Sequence, residues 1–370
     1  MIFVQYLLVL FINVFMFIRN KKSNAVFYLS FLFIVLFSAG LQQGHDYNNY
    51  YNSYVSRDIF HSYAIGFGFI ENIAINLNFD FRLFYSFSVI FSTILIFFVV
   101  KKSNTDFHFF TVVYMLYYIF LNAQLKNQIG LSFFLLGIYC LYRLKRINGI
   151  LLFLAFTLLA ASFHPVFLLY FIFVLVRFKR LNKVIRFLSV VSVIAIIVSF
   201  VFKEIGFVKT MGSYFLSMLG ESRYEDYFST STRFGALPII IISLLMVYLS
   251  YFNQKNVLID RRFERGFSRN ESIQMVYYIS LLSLLFVPLV TVNVTFYRII
   301  RNLSLVVILF TVTFKSDVSS ITCKKPYFVS HLRICSLMIV VLFFFFDVVL
   351  KGYSSTFYYE HFGNNLFILG

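Results

Sequence analysis

Tryptophan is absent from these 370 residues, and cysteine occurs only as Cys140, Cys323 and Cys335. An odd number of cysteines builds no disulfide framework, and no two have the spacing of a metal-ligand pair. Without tryptophan, an aromatic belt at a membrane surface falls to tyrosine, of which there are 26. Acid is scarce as well, 15 residues against 32 Lys and Arg, for a net charge of +17. The cations are dispersed between oily stretches and form no single basic face, which excludes a nucleic-acid partner. Strand-like alternation over ten residues is missing, which argues against an outer-membrane barrel. A Walker-type Gly-Lys-Ser/Thr run, a His-Glu-x-x-His zinc motif and a Gly-x-Ser-x-Gly elbow are all lacking. Residues 2–18 have no basic leading region and run into Arg19, Lys21 and Lys22, so they do not fit a cleaved signal. No convincing internal repeat is visible, so the inverted-repeat transporter architecture has no support.

What remains is hydrocarbon. The chain is 60% hydrophobic with a mean hydropathy of +0.84, far above a soluble domain. Its apolar runs of ~15–20 residues can cross ~30 Å as helices, and in lipid the backbone must pair within itself. The sequence predicts an all-α, polytopic integral membrane bundle, a single transmembrane domain over residues 1–370. About 12 transmembrane helices are expected, at 2–18, 25–40, 82–100, 107–121, 129–142, 148–163, 165–176, 187–202, 236–252, 273–290, 299–314 and 332–350. The pair meeting at His164-Pro165 can also be a hairpin that does not fully cross.

Sidedness follows from the cations. Loops 19–24, 101–106, 143–147, 177–186, 253–272 and 315–333 hold 22 of the 32 Lys and Arg. Such loops face the cytoplasm, so both termini are expected outside, and the three cysteines lie near the reducing side. The outer face then receives loops 41–81 and 203–235 and the segment 351–370. Phe60, Tyr63, Phe67, Ile70, Ile73 and Leu77 recur at helical spacing, as do Ile205, Val208, Met211, Phe215 and Met218. Both sets suggest amphipathic lids resting on lipid, or else short apolar connectors.

Chemistry concentrates on that outer face. Arg57, Arg82, Lys126, Arg223, Arg233, Arg298 and Arg301 map there, where cations are expected to be few. An anionic partner explains them. Arginine's planar fork suits the oxygens of a lipid diphosphate. Snorkelling, or pairing with Asp80, Glu204, Glu225 and Asp226, is the alternative. His164, fixed before Pro165 at the mouth of the bundle, can act as general base, phosphate donor or plain interfacial histidine. Asp46 can accept or orient a sugar hydroxyl proton, and His45 can assist it. Tyr47, Tyr50, Tyr51 and Tyr54 can stack on sugar rings, or serve as belt and turn residues. Tyr224 and Tyr227 repeat that composition in the second loop. Asp347, late in the last span, should pair or line a cavity.

These elements are laid out as in the EpsG-like branch of the Wzy-type O-antigen and capsule repeat-unit polymerases. Gly44-His45-Asp46-Tyr47-Asn48-Asn49-Tyr50 resembles their Gly-x-Asp-Tyr-x-x-Tyr element after the second span. Lys126-Asn127-Gln128-Ile129-Gly130 stands where Arg-x-x-Ile-Ala opens a middle span, with Lys for Arg and Gly for Ala. Phe163-His164-Pro165-Val166 and Tyr297-Arg298 match two later elements. The resemblance implies transfer of a growing glycan from undecaprenyl diphosphate to the next lipid-linked repeat unit, outside the bacterial cytoplasmic membrane. It implies no nucleotide, metal or other cofactor. Partners would be the lipid-linked oligosaccharide, membrane lipid and a chain-length regulator protein. In that scheme Asp46 or His164 is the base, and Arg298, Arg301, Lys126, Arg233 and Arg57 hold diphosphate. His45, Tyr47, Tyr50, Tyr54, Tyr224 and Tyr227 hold glycan. Two rivals are a multi-span glycosyltransferase using a monosaccharide on polyprenyl phosphate, and a flippase for the same lipid-linked sugar.

Overall fold

The computed structural model describes residues 2–41, 45–57, 64–103, 106–144, 146–201, 236–259, 269–292, 296–311, 321–323 and 328–347, with Phe362 and Asn365. Fourteen α-helices follow in chain order: α1 (Ile2–Ile18), α2 (Asn24–Ala39), α3 (His45–Ser56), α4 (Ile65–Asn76), α5 (Phe81–Lys102), α6 (Phe107–Leu116), α7 (Leu125–Arg143), α8 (Arg146–Phe163), α9 (Asn182–Val201), α10 (Leu237–Asn256), α11 (Arg269–Ser283), α12 (Val287–Val292), α13 (Tyr297–Thr311) and α14 (Phe328–Phe345). Short 3-10 helices join some of them, and two three-residue strands, β1 (Val257–Ile259) and β2 (Ile321–Cys323), pair antiparallel.

Side chains set several of the helix starts. Asp80 accepts the Leu83 N–H at 2.7 Å to open α5, Asp106 the Phe109 N–H at 3.3 Å to open α6, and Ser23 the Val26 N–H at 3.3 Å to open α2. Each occupies a donor the helix cannot pair internally. Among the described residues the twelve segments expected as spans are helical, and positions 202, 312–314 and 348–350 lie outside those residues. Four stretches are long and apolar enough to cross a membrane: Phe81–Lys102, Lys179–Val198, Leu237–Asn256 and Ile273–Val290. Six further apolar helices are shorter. α13 sits at the centre, with every residue from Ile299 to Thr311 buried.

Segment 165–176 is a 3-10 helix, Pro165–Arg177, rather than an α-helix. Its sequence explains this. A 3-10 helix eclipses residues three apart, and Phe167, Tyr170, Phe173 and Val176 form one buried row. Phe134 of α7 packs along that row, 5.9 Å from Phe167, 4.5 Å from Tyr170 and 6.3 Å from Phe173. Gly130, one turn earlier on α7, admits the row: a Cβ there would lie 2.4 Å from Cε2 of Phe167.

Span 107–121 breaks at Tyr117. α6 stops at Leu116 and a 3-10 helix, Tyr118–Ala123, takes over. The break turns Tyr117 and Tyr118 into the core, where both are buried. Segment 59–80 contains the expected amphipathic helix, α4, but its faces differ from the expectation. Ile65, Phe69, Ile73 and Leu77 form the exposed apolar stripe, while Phe67, Gly68, Glu71 and Ala74 face inward. Gly66 lies so close to Ser162 of α8 that a Cβ would meet Oγ at 2.2 Å, which docks α4 on the end of α8. Phe60 and Tyr63 fall outside the described residues, as do loop 203–235 and its apolar series.

The described parts of the two loop sets lie at opposite ends of the bundle. The Lys101 ammonium donates to Asn24 at 2.6 Å, Arg143 to the Lys102 carbonyl at 3.5 Å, and Arg177 to the Leu144 carbonyl at 2.5 Å. Arg333 pairs with Asp106 and reaches the Phe17 carbonyl at 3.3 Å. At the opposite end Ser86 donates to the Ala39 carbonyl at 3.0 Å and Asn365 to the Phe37 carbonyl at 2.8 Å. Phe362 packs there against Phe3, Tyr6, Phe37 and Phe120.

Candidate active site

Three helix ends and a helical cap converge at the end with few cations. α7 contributes its entry, Gln124-Leu125-Lys126-Asn127-Gln128. α13 contributes Tyr297, Arg298 and Arg301 from its first turns, and the α8 junction contributes His164. The cap is formed by α3 and α4 with the start of α5.

α7 and α13 are tied by polar groups. Asn127 and Asn302 exchange amide hydrogen bonds of 3.3 and 2.9 Å. Arg301 is wholly buried and donates to Gln124 Oε1 at 2.6 Å and to the Tyr297 hydroxyl at 2.9 Å. Asp347, just beyond α14, accepts from the Tyr117 hydroxyl and hydrogen-bonds to Tyr297. One relay therefore runs Gln124, Arg301, Tyr297, Asp347, Tyr117. Tyr118 meets Ser304 at 2.6 Å, and Tyr170 donates to the Ile299 carbonyl at 3.0 Å. Buried polar groups at membrane depth need this degree of satisfaction.

Arg298 differs from Arg301. It is half-buried where Arg301 is wholly buried; the buried Nε of each has no hydrogen-bond partner among the described residues. His164 feels its charge. Loss of solvent, then Arg298, Lys126 and Arg301, push the His164 pKa down to about 3. The imidazole is therefore neutral at physiological pH. Its Nδ1 accepts the Val166 N–H at 3.3 Å, which caps the 3-10 helix and leaves the ring proton on Nε2.

Lys126 is almost fully buried. Its ammonium sits over two cap rings, 4.8 Å from Phe67 and 5.6 Å from Tyr50. Asp46 is half-buried in the first turn of α3, one turn before Tyr50. Tyr47 packs on Phe81 and Tyr85, each at 5.0 Å. Tyr54 packs on Phe84 at 5.3 Å and donates to the Phe79 carbonyl at 2.7 Å. Tyr47 and Tyr54 thus build the cap, and Tyr50 is the one that meets Lys126. Arg57 is exposed after α3, with left-handed backbone at φ 54°. Arg82 is exposed on α5. The His45 side chain, Arg223, Arg233, Tyr224 and Tyr227 lie outside the described residues.

The structure thus gathers His164, Arg298, Lys126, Arg301 and Tyr50. It adds Gln124 and Asn302, which sequence reasoning passed over together with the buried Glu71 of the cap, and Asn127 and Tyr297, which it named only within family elements. The polar cluster at 122–128 in an oily stretch was a usable signal, as was Glu71, the only acid between residues 59 and 79. Among the described residues no three His, Cys, Asp or Glu side chains group as a metal site.

A family model described as the EpsG family matches residues 24–362. No curated protein and no solved structure matches the chain.

Proposed function

Because the chain belongs to the EpsG family, a Wzy-like family of polysaccharide polymerases, we propose that it joins lipid-linked oligosaccharide repeat units. The growing glycan leaves undecaprenyl diphosphate and passes to a hydroxyl of the next unit, at the outer face of the bacterial cytoplasmic membrane.

The observation that carries this reading is Arg298. A half-buried guanidinium, whose Nε meets no acceptor among the described residues, near a neutral His164 and the Lys126 ammonium suits an incoming anion. Diphosphate fits because two of its oxygens match the arginine fork. As the anomeric carbon–oxygen bond breaks, the electron pair moves to the diphosphate, where Arg298 and the Nε2–H of His164 stabilise it. The acceptor hydroxyl forms the new bond and loses its proton. Asp46 takes that proton, since His164 is engaged in donating its Nε2–H to the diphosphate. Arg301, with both terminal nitrogens engaged, acts from behind as support. Tyr50 and the exposed Tyr51 offer ring faces to glycan. His45, Arg233, Tyr224, Tyr227 and Arg57 remain candidates for the glycan and diphosphate path. A chain-length regulator is the expected protein partner.

Arg298→Ala should insert normally yet lower polymerisation by roughly 10²–10³-fold, leaving single repeat units on the surface. Glycans of normal length from both Arg298→Ala and Asp46→Ala cells would sink the assignment. A flippase variant would instead show no surface repeat unit at all.

A further inference from the structure

Glu71 has no part in the scheme above, yet its side chain is wholly buried on α4. A carboxylate removed from water is costly unless an opposite charge compensates it. Two helix faces locate the compensating group. On α4, Phe67 and Glu71 are four residues apart and so share a face, and the Lys126 ammonium lies 4.8 Å from the Phe67 ring. On α3, Tyr50 and Tyr54 bear the same relation. Lys126 lies 5.6 Å from the Tyr50 ring, and the Glu71 charge acts on Tyr54. The Tyr50 and Phe67 rings are themselves 5.6 Å apart. Both faces therefore converge on one spot, with the Lys126 ammonium of α7 at the level of Phe67 and Glu71 one turn further along α4.

We propose that Glu71 is the counter-charge of Lys126, and that this pair fastens the α3–α4 cap over the cation-lined site. Glu71 is a positioning residue. Asp347 acts likewise on the charge of Arg301, reached through the Tyr297 hydroxyl, which leaves Arg298 as the cation assigned to substrate. The value of this placement for polymerisation rests on the function proposed above; the pairing itself does not.

The test uses the full chain purified in detergent, with Glu71→Gln, Glu71→Asp, Lys126→Gln and the double variant Glu71→Gln/Lys126→Gln. Each neutralising single change should lower Tm. The double should regain most of the loss, because a neutral pair leaves no uncompensated buried charge. In cells Glu71→Gln should reduce polymerisation about tenfold, and Glu71→Asp should restore most of it. Strictly additive losses in the double, or Glu71→Asp behaving as Glu71→Gln, would overturn the pairing. If the single variants fail to accumulate, recovery of the double still supports it, and equal failure of the double counts against it. Coupled melting with a harmless Arg298→Ala would sink the polymerase reading alone.

Discussion

Arg298 and Arg301 stand three residues apart on one helix and have opposite fates. Helical spacing places them on one face, but α13 dives into the core within a turn. Arg301 is carried below the rim, where Gln124 and Tyr297 take its terminal nitrogens. The sequence made this face visible and hid the depth, because depth depends on residues far away. The Tyr117–Asp347 contact spans 230 positions. His164 gives a test at the same scale. Its folded pKa of about 3 lies below the ordinary value near ~6.5. Between those values the unfolded chain holds a proton that the folded chain lacks. This contribution to stability is therefore complete above pH ~6.5 and declines as pH falls toward 3. Purified protein should melt at lower temperature as pH drops from 7 to 4.5, and His164→Gln should show a shallower decline. Equal slopes for the two proteins would remove the histidine from this account.

At the scale of elements, Pro165–Arg177 shows how a period sets a helix type. Its buried row advances by three, which a 3-10 helix turns into a straight ridge. The form also lengthens the segment. Thirteen residues span about 26 Å as a 3-10 helix against about 20 Å as an α-helix, close to the ~30 Å of a hydrocarbon core. A stretch that looks too short to cross thus gains reach from its winding. Gly130 belongs to the same fit. The family pattern has alanine there, and this chain has the large Phe167 ring where the methyl would go. Gly130→Ala should destabilise by about 1–3 kcal/mol through overpacking, and Gly130→Ala/Phe167→Leu should lose less. Urea or thermal melts in detergent measure both, and a neutral single variant would show that the ring has room to move.

Across the whole molecule, the described helices and the grouping of the described basic loops were legible because hydropathy and Lys/Arg placement act locally. The cap was only half legible. α4 was visible as amphipathic, but Phe67 faces inward since Glu71 and Ala74 share its side and Gly66 lets α8 approach. The site was legible in its charged members and obscure in its amides and tyrosines, whose partners come from distant helices. Sidedness can be measured directly. Cysteines placed at the exposed positions Tyr51 and Asn52 should react with an impermeant maleimide added to intact spheroplasts, and one at exposed Lys102 should react only after lysis. The reverse pattern would turn the site toward the cytosol.

Phe362 and Asn365 close the far end of the first helical hairpin: one wedges among rings of α1, α2 and the 118–123 turn, the other fills the Phe37 carbonyl. During synthesis α1 and α2 must wait, unsealed, for a segment translated more than three hundred codons later. This end of the hairpin is thus closed by a late clasp, and damage to that clasp will surface more than three hundred residues away, in the packing of α1 and α2.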